Sequence, residues 1–155
     1  MDKSPSLQQK IEQFASEELT RYYTGEKGIK LEHHTVGEMA DSFEIIEHPQ
    51  HYVIRGNSSR APLYGVYRFL EKVEGLVFFD LQQPKKISPA GISQRYIGLP
   101  KFARRGNVFE TIDDIPFLKS MLDVGTKNGL NEVFLTFFLG DEVKDTLLKD
   151  IEKRG

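Results

Sequence analysis

The sequence predicts an α+β fold, a small mixed β-sheet with two helices packed on it, followed by a βαβ segment. Three observations point to it. Two stretches, 6–24 and 61–74, carry apolar residues at helical spacing. Two short runs rich in β-branched and aromatic residues, 42–47 and 51–55, flank a turn. Beyond residue 91 the order becomes strand, helix, apolar strand within about 35 residues, the sequence form of two parallel strands joined by a helix.

In the first helix Leu7, Ile11, Phe14, Ala15, Leu19 and Tyr22 form the buried stripe, Ser6 serves as the cap, and Gly25 is expected to stop it. Residues 25–40 are polar, with a short strand beginning near Leu31. Phe43, Ile45 and Ile46 make one strand and Tyr52, Val53 and Ile54 the next. Pro49 and Gln50 between them predict a hairpin. Pro62 suits the first turn of the second helix, Leu63, Val66, Tyr67, Leu70 and Val73 form its stripe, and Gly75 ends it. Leu76 to Phe79 reads as a short strand.

Pro84, Pro89 and Gly91 mark 82–91 as the best linker in the chain. The expected division is therefore an α+β unit over 1–80, a linker over 81–91 and a βαβ segment over 92–155. In the second part, 92–97 and 102–110 read as extended. Thr111 with Asp114 resembles a capping box for a helix running to Lys127. Val133 to Leu139 reads as one strand whose near-continuous apolarity asks for burial on both faces. Asp141 to Lys153 reads as a short charged helix. Such an apolar strand is expected either to join the main sheet or to pair with another chain, which makes 133–139 the candidate surface for a homo-oligomer.

Composition excludes more than it assigns. With 155 residues, 39% hydrophobic and 28% charged, the chain can bury a core without disulfides, and it is neither disordered nor a coiled-coil rod. It has no cysteine, so thiol nucleophiles and Cys-ligated metals are excluded. No apolar run is long enough for a membrane span, and the first residues lack the basic-then-apolar layout of a signal peptide. A cytoplasmic protein is the expectation, with no membrane partner and no cofactor.

The net charge is −2, but residues 81–109 contain six bases and no acid: Lys85, Lys86, Arg95, Lys101, Arg104 and Arg105. With Tyr96, Phe102 and Phe109 interleaved, this stretch is the candidate for binding nucleic acid or an acidic partner. The ordinary reading is a solvated segment beside acidic neighbours, and nucleic acid is not the expected partner. His33, His34, His48 and His51 lack the spacing of a metal site. Asp113 with Asp114 reads as a pair of first-turn acids, and Asp141 with Glu142 as a helix start, rather than as catalytic pairs. There is no G-x-S-x-G and no P-loop.

The stretch SFEII, turn, HYVIRGNSSRAPLYGVYRFLEKVEGLVFF, from Ser42 to Phe79, resembles the N-terminal accessory domain that precedes the catalytic barrel in β-N-acetylhexosaminidases and α-glucuronidases. FARRGNVFET, from Phe102 to Thr111, is similar to the first barrel strand of these glycoside hydrolases, and LKSMLDVGTKNGLNEVFLTFF, from Leu118 to Phe138, to the helix and strand that follow. The resemblance implies that Arg105, in the Arg-Gly step, binds a sugar hydroxyl. It also implies that the catalytic carboxylates belong to later barrel strands, for which no residue here corresponds. A complete (β/α)8 barrel needs ~200–250 residues. The expectation is thus a non-catalytic accessory domain or fragment of a carbohydrate-active enzyme, a scaffold or weak carbohydrate binder, inactive alone.

Overall fold

The computed structural model describes residues 5–110, 112, 114–136 and 139–155. Among the described residues, four helices and three small sheets make an α+β fold. The main sheet has four strands in the order β1 (Gly28–His33), β3 (His51–Gly56), β2 (Phe43–Glu47) and β6 (Arg95–Gly98). β1 runs parallel to β3, and the other two pairings are antiparallel. Because side chains alternate along a strand, Leu31, Ile54, Ile45 and Tyr96 form one register row on the core face. The adjacent row on the opposite face reads Glu32, Arg55, Glu44 and Ile97.

Helix α1 (Leu7–Tyr22) and helix α2 (Ala61–Phe69) cover the core face, where Ile11, Ile45, Ile54, Leu63, Val66 and Phe69 are buried. Ser6 caps α1 through a capping box with Gln9. The stop expected at Gly25 lies elsewhere: α1 ends at Tyr22, and Tyr23 turns extended while its amide still donates to the Leu19 carbonyl. α2 is apolar nearly all round because it is buried nearly all round, lying between the sheet on one side and the second half of the chain on the other. Gly65 permits the close approach, since a Cβ there would run into Ile54. The helix widens into a π-helical turn over Leu70–Glu74 and stops at Gly75, whose φ of 69° is the left-handed conformation that favours glycine.

The segment between the two halves is strapped down. β4 (Leu76–Val77) pairs with β5 (Lys85–Lys86), the Ile87 amide donates to Gly75 and the Gly91 amide to Lys72. β6, the fourth strand of the main sheet, comes from beyond this segment. The predicted βαβ unit follows as β7 (Gly106–Phe109), α3 (Ile115–Lys127) and β8 (Glu132–Leu135), with β7 and β8 parallel. Asp114 caps α3 by accepting from the Phe117 amide, while Thr111 and Asp113 lie outside the described residues.

The apolar run expected to be one strand over 133–139 is shorter as a strand. β8 ends at Leu135, and helix α4 (Leu139–Glu152) begins where the strand was expected to finish; residues 137 and 138 lie outside the described residues. A short apolar run has the same composition at the end of a strand and at the start of a buried helix, so periodicity alone does not divide it. β8 does not enter the main sheet. It pairs with β7 in a separate two-stranded sheet. A second core forms there, with Phe109, Leu118, Val143 and Leu147 buried and Val133 and Leu135 packed against them.

Candidate functional site

The residue singled out by sequence, Arg105, sits immediately before β7. Strand alternation separates it from its neighbours: Arg104, Gly106 and Val108 fall on one face of the β7–β8 sheet, and Arg105, Asn107 and Phe109 on the other. Arg105 is largely buried, with its guanidinium 5.9 Å from the Tyr64 ring centre. Each of its three nitrogens is engaged. Nε donates to the Gly129 carbonyl (2.8 Å), Nη1 to the Phe102 carbonyl (2.6 Å) and Nη2 to Asp41 Oδ2 (3.0 Å).

Asp41 is the centre of this cluster. It lies in the loop before β2 with φ 70°, a conformation that Asp tolerates better than most residues, and its side chain is 1% exposed. Oδ1 accepts from Ser58 Oγ (2.8 Å) and Arg60 Nε (2.9 Å); Oδ2 accepts from Arg105 Nη2 and Asn131 Nδ2 (2.9 Å). Burial pushes the carboxyl up. The hydrogen bonds from Ser58, Asn131 and Arg60, with the charge of Arg60, outweigh it and hold Asp41 below the usual carboxylate range. Asn131 also donates to Ala103 and accepts from the Arg105 amide, and the Tyr64 hydroxyl donates to the Leu130 carbonyl. Burial pushes Tyr64 up to about 12, so it stays protonated. The arrangement joins the loop before β2, the start of α2 and both strands of the βαβ unit through one saturated carboxylate.

Much of the basic stretch is likewise engaged. Arg95 shares the buried Glu44 with Arg55, Arg104 pairs with Glu132, and Lys85 lies 4.6 Å from the Phe79 ring centre. The histidines are dispersed: His33 meets Glu12, and His48 stacks on His51 with ring centres 4.6 Å apart. Among the described residues no group of three His, Asp or Glu could hold a metal ion. Asp114 is a helix cap, and Asp141 and Glu142 lie in α4.

A second cluster was not anticipated from sequence. Lys127, at the end of α3, is 6% exposed, with Nζ 2.6 Å from Asp123 and 3.5 Å from Glu18 of α1. It lies 5.0–6.0 Å from the ring centres of Tyr22, Tyr67 and Phe78. Burial alone would lower its pKa; the hydrogen bond and charge of Asp123, with Glu18 behind, outweigh that and raise it. The one sequence signal was Glu18, an acid on the apolar stripe of the first helix. Such a position is occupied by a carboxylate only when a partner waits there.

A cavity of about 150 Å³ lies under β7 and β8, lined by Tyr64, Asn107, Leu122, Leu130, Val133 and Arg154 among others. It is small beside the ~300–1,000 Å³ of ordinary ligand sites. Among the described residues, every Asp or Glu whose pKa is displaced is displaced downward. A general acid for glycoside cleavage needs the opposite displacement. No helix among the described residues is long and apolar enough to cross a membrane.

No family model and no curated protein matches the chain. Among solved structures, it is similar in fold to a GH20 exo-β-N-acetylglucosaminidase from Vibrio harveyi, determined in complex with N-acetylglucosamine. The TM-score is 0.59 at 14% sequence identity. The likeness covers 85% of this chain and 21% of that enzyme, so the chain spans about a fifth of its length.

Proposed function

We propose that this chain is a non-catalytic, glycoside hydrolase-like unit: an accessory α+β domain carrying the first βαβ segment of a barrel and serving as a scaffold. The observation that carries this reading is the extent of the fold likeness, most of this chain on a small part of a much longer glycosidase. The ion pairs support it. Asp41, Glu44, Asp123 and Glu132 are each held by cations, so they stabilise the fold and do not store a proton for a leaving group. Arg105 joins the two halves in this reading. Three of its five N–H donors are taken by Asp41 and two main-chain carbonyls, and the side chain is only 16% exposed, so little of it is offered to a sugar hydroxyl.

The test is activity and binding by the full chain. With nitrophenyl N-acetyl-β-glucosaminide and nitrophenyl α-glucuronide between pH 4 and 8, no hydrolysis above the buffer rate is expected. Titrating N-acetylglucosamine and chitobiose to about 10 mM, equivalent to only ~3 kcal/mol of affinity, is expected to leave amide shifts around Arg105 unmoved. Hydrolysis that disappears on substituting a single carboxylate of this chain would refute the scaffold reading. Saturable shifts at Arg105 would turn it into a carbohydrate-binding one.

A further inference from the structure

We infer that the bare face of the β7–β8 sheet is the contact surface of a symmetric dimer, with a second copy of this chain as its occupant. Parallel strands occur almost only where both faces are covered, and two strands alone are marginal in water. Here α3 and α4 cover one face, where Phe109 and Val143 are buried. The other face presents Val108 and Phe134, directly opposite each other in register and 59% and 45% exposed. The approach to β7 adds two more exposed apolar side chains, Leu99 and Phe102.

Charge points to the same chain as the partner. At the start of the two strands the bare face carries Arg104 and Glu132, with Phe134 beside them under the Arg104 guanidinium, and strand alternation adds the exposed Glu110 just past the end of β7. A face with both signs flanking an apolar pair is self-complementary about a two-fold axis. Rotated onto itself about an axis along the strands, it brings Arg104 of each copy toward Glu132 of the other and Val108 toward Phe134, the geometry of an isologous interface. A strongly basic or strongly acidic partner would gain from one of these charges and be repelled by the other. The strand face is small, so the association is expected to be concentration-dependent and weaker than that of an obligate dimer.

Sedimentation equilibrium of the full chain at low and high salt tests this. A monomer–dimer equilibrium that weakens with salt is expected. Phe134→Glu and, separately, Val108→Lys should each raise the dissociation constant at least about ten-fold while leaving the melting temperature in place, since both positions are exposed in the monomer. Arg104→Glu alone and Glu132→Arg alone should each impair the dimer, because each gives like charges facing across the axis. An equimolar mixture of these two variants should recover it as a 1:1 heterodimer by native mass spectrometry. The inference is overturned by a monomer at all concentrations, by a dimer indifferent to Phe134→Glu, by open-ended polymer, or by a mixture that does not pair. None of these outcomes bears on whether the chain hydrolyses glycosides, so the two readings fail separately.

Discussion

Asp41 is read from the chemistry of its four donors. A buried carboxylate facing two guanidiniums, a hydroxyl and an amide is costly to disturb, because removing its charge leaves Arg105 and Arg60 without compensation. Asp41→Asn is expected to destabilise the protein by about 3 kcal/mol at pH 7, at the lower end for buried pairs because Arg60 retains some solvent. The pH dependence follows from the direction of the shift. A carboxylate whose folded pKa lies below its ordinary value of 3.8 stabilises fully above that value and loses its contribution as pH falls through the lower, folded value. The stability gap between wild type and Asp41→Asn, measured by urea denaturation from pH 7 down to pH 2, should therefore hold down to about pH 4 and close below it. A gap that closes already between pH 6 and 5 would contradict it. The Arg-Gly step was legible in sequence, but its partner lies 64 residues earlier in a polar loop without pattern. Nothing local in the sequence marks Asp41 as the partner of that arginine.

The elements follow what local chemistry dictates. Amphipathic spacing, capping and turn residues place both early helices, the hairpin and the βαβ unit within a few residues of their observed limits. Departures occur where tertiary contact decides. α1 ends without using Gly25, 70–74 widens to π geometry, and the apolar run after Asn131 divides between β8 and the start of α4. Glycines inside helices test the distinction between intrinsic propensity and packing. Alanine is favoured over glycine in a helix by up to ~1 kcal/mol, but at Gly65 the added methyl meets Ile54, with the Phe43 ring 3.3 Å away. Overpacking costs about 1–3 kcal/mol and wins there. At Gly125 the nearest atom, on Leu130, is 3.4 Å away, and that neighbour is a flexible side chain. Gly65→Ala should lower the urea midpoint and Gly125→Ala should leave it unchanged or raise it. A Gly65→Ala midpoint equal to or above that of the wild type would mean that α2 does not approach the sheet as closely as described.

At the scale of the whole molecule, the question is whether two cores unfold as one. The first lies between the main sheet and α1 and α2, and the second between the β7–β8 sheet and α3 and α4. They meet across α2 through two polar ties of different kinds. Asp41 is a carboxylate surrounded by cations, and Lys127 is a cation surrounded by carboxylates and aromatic rings. Neither tie could be read in advance, because each closes a distance in sequence that no periodicity spans: Lys127 meets Tyr22 across 105 residues. Each tie holds a charge that would be expensive to leave buried alone, so opening the boundary costs more than the apolar area there suggests. Lys127→Ala should expose this coupling. Among the described residues it leaves Glu18, 4% exposed, with Arg21 at 3.6 Å and the Tyr67 hydroxyl at 3.1 Å, and it empties the space among three rings. Wild type is expected to exchange the amides of α3 and of the main sheet with the same free energy, in one cooperative unit. In Lys127→Ala, the amides of 115–127 and 132–135 should lose at least about ten-fold protection relative to those of β2 and β3. Lys127→Arg, which keeps the charge, should retain most of it. Equal loss of protection in both halves would show that Lys127 contributes to global stability without linking the cores, and equal loss in the Arg variant would show that the fit among the rings, and not the charge, makes the tie.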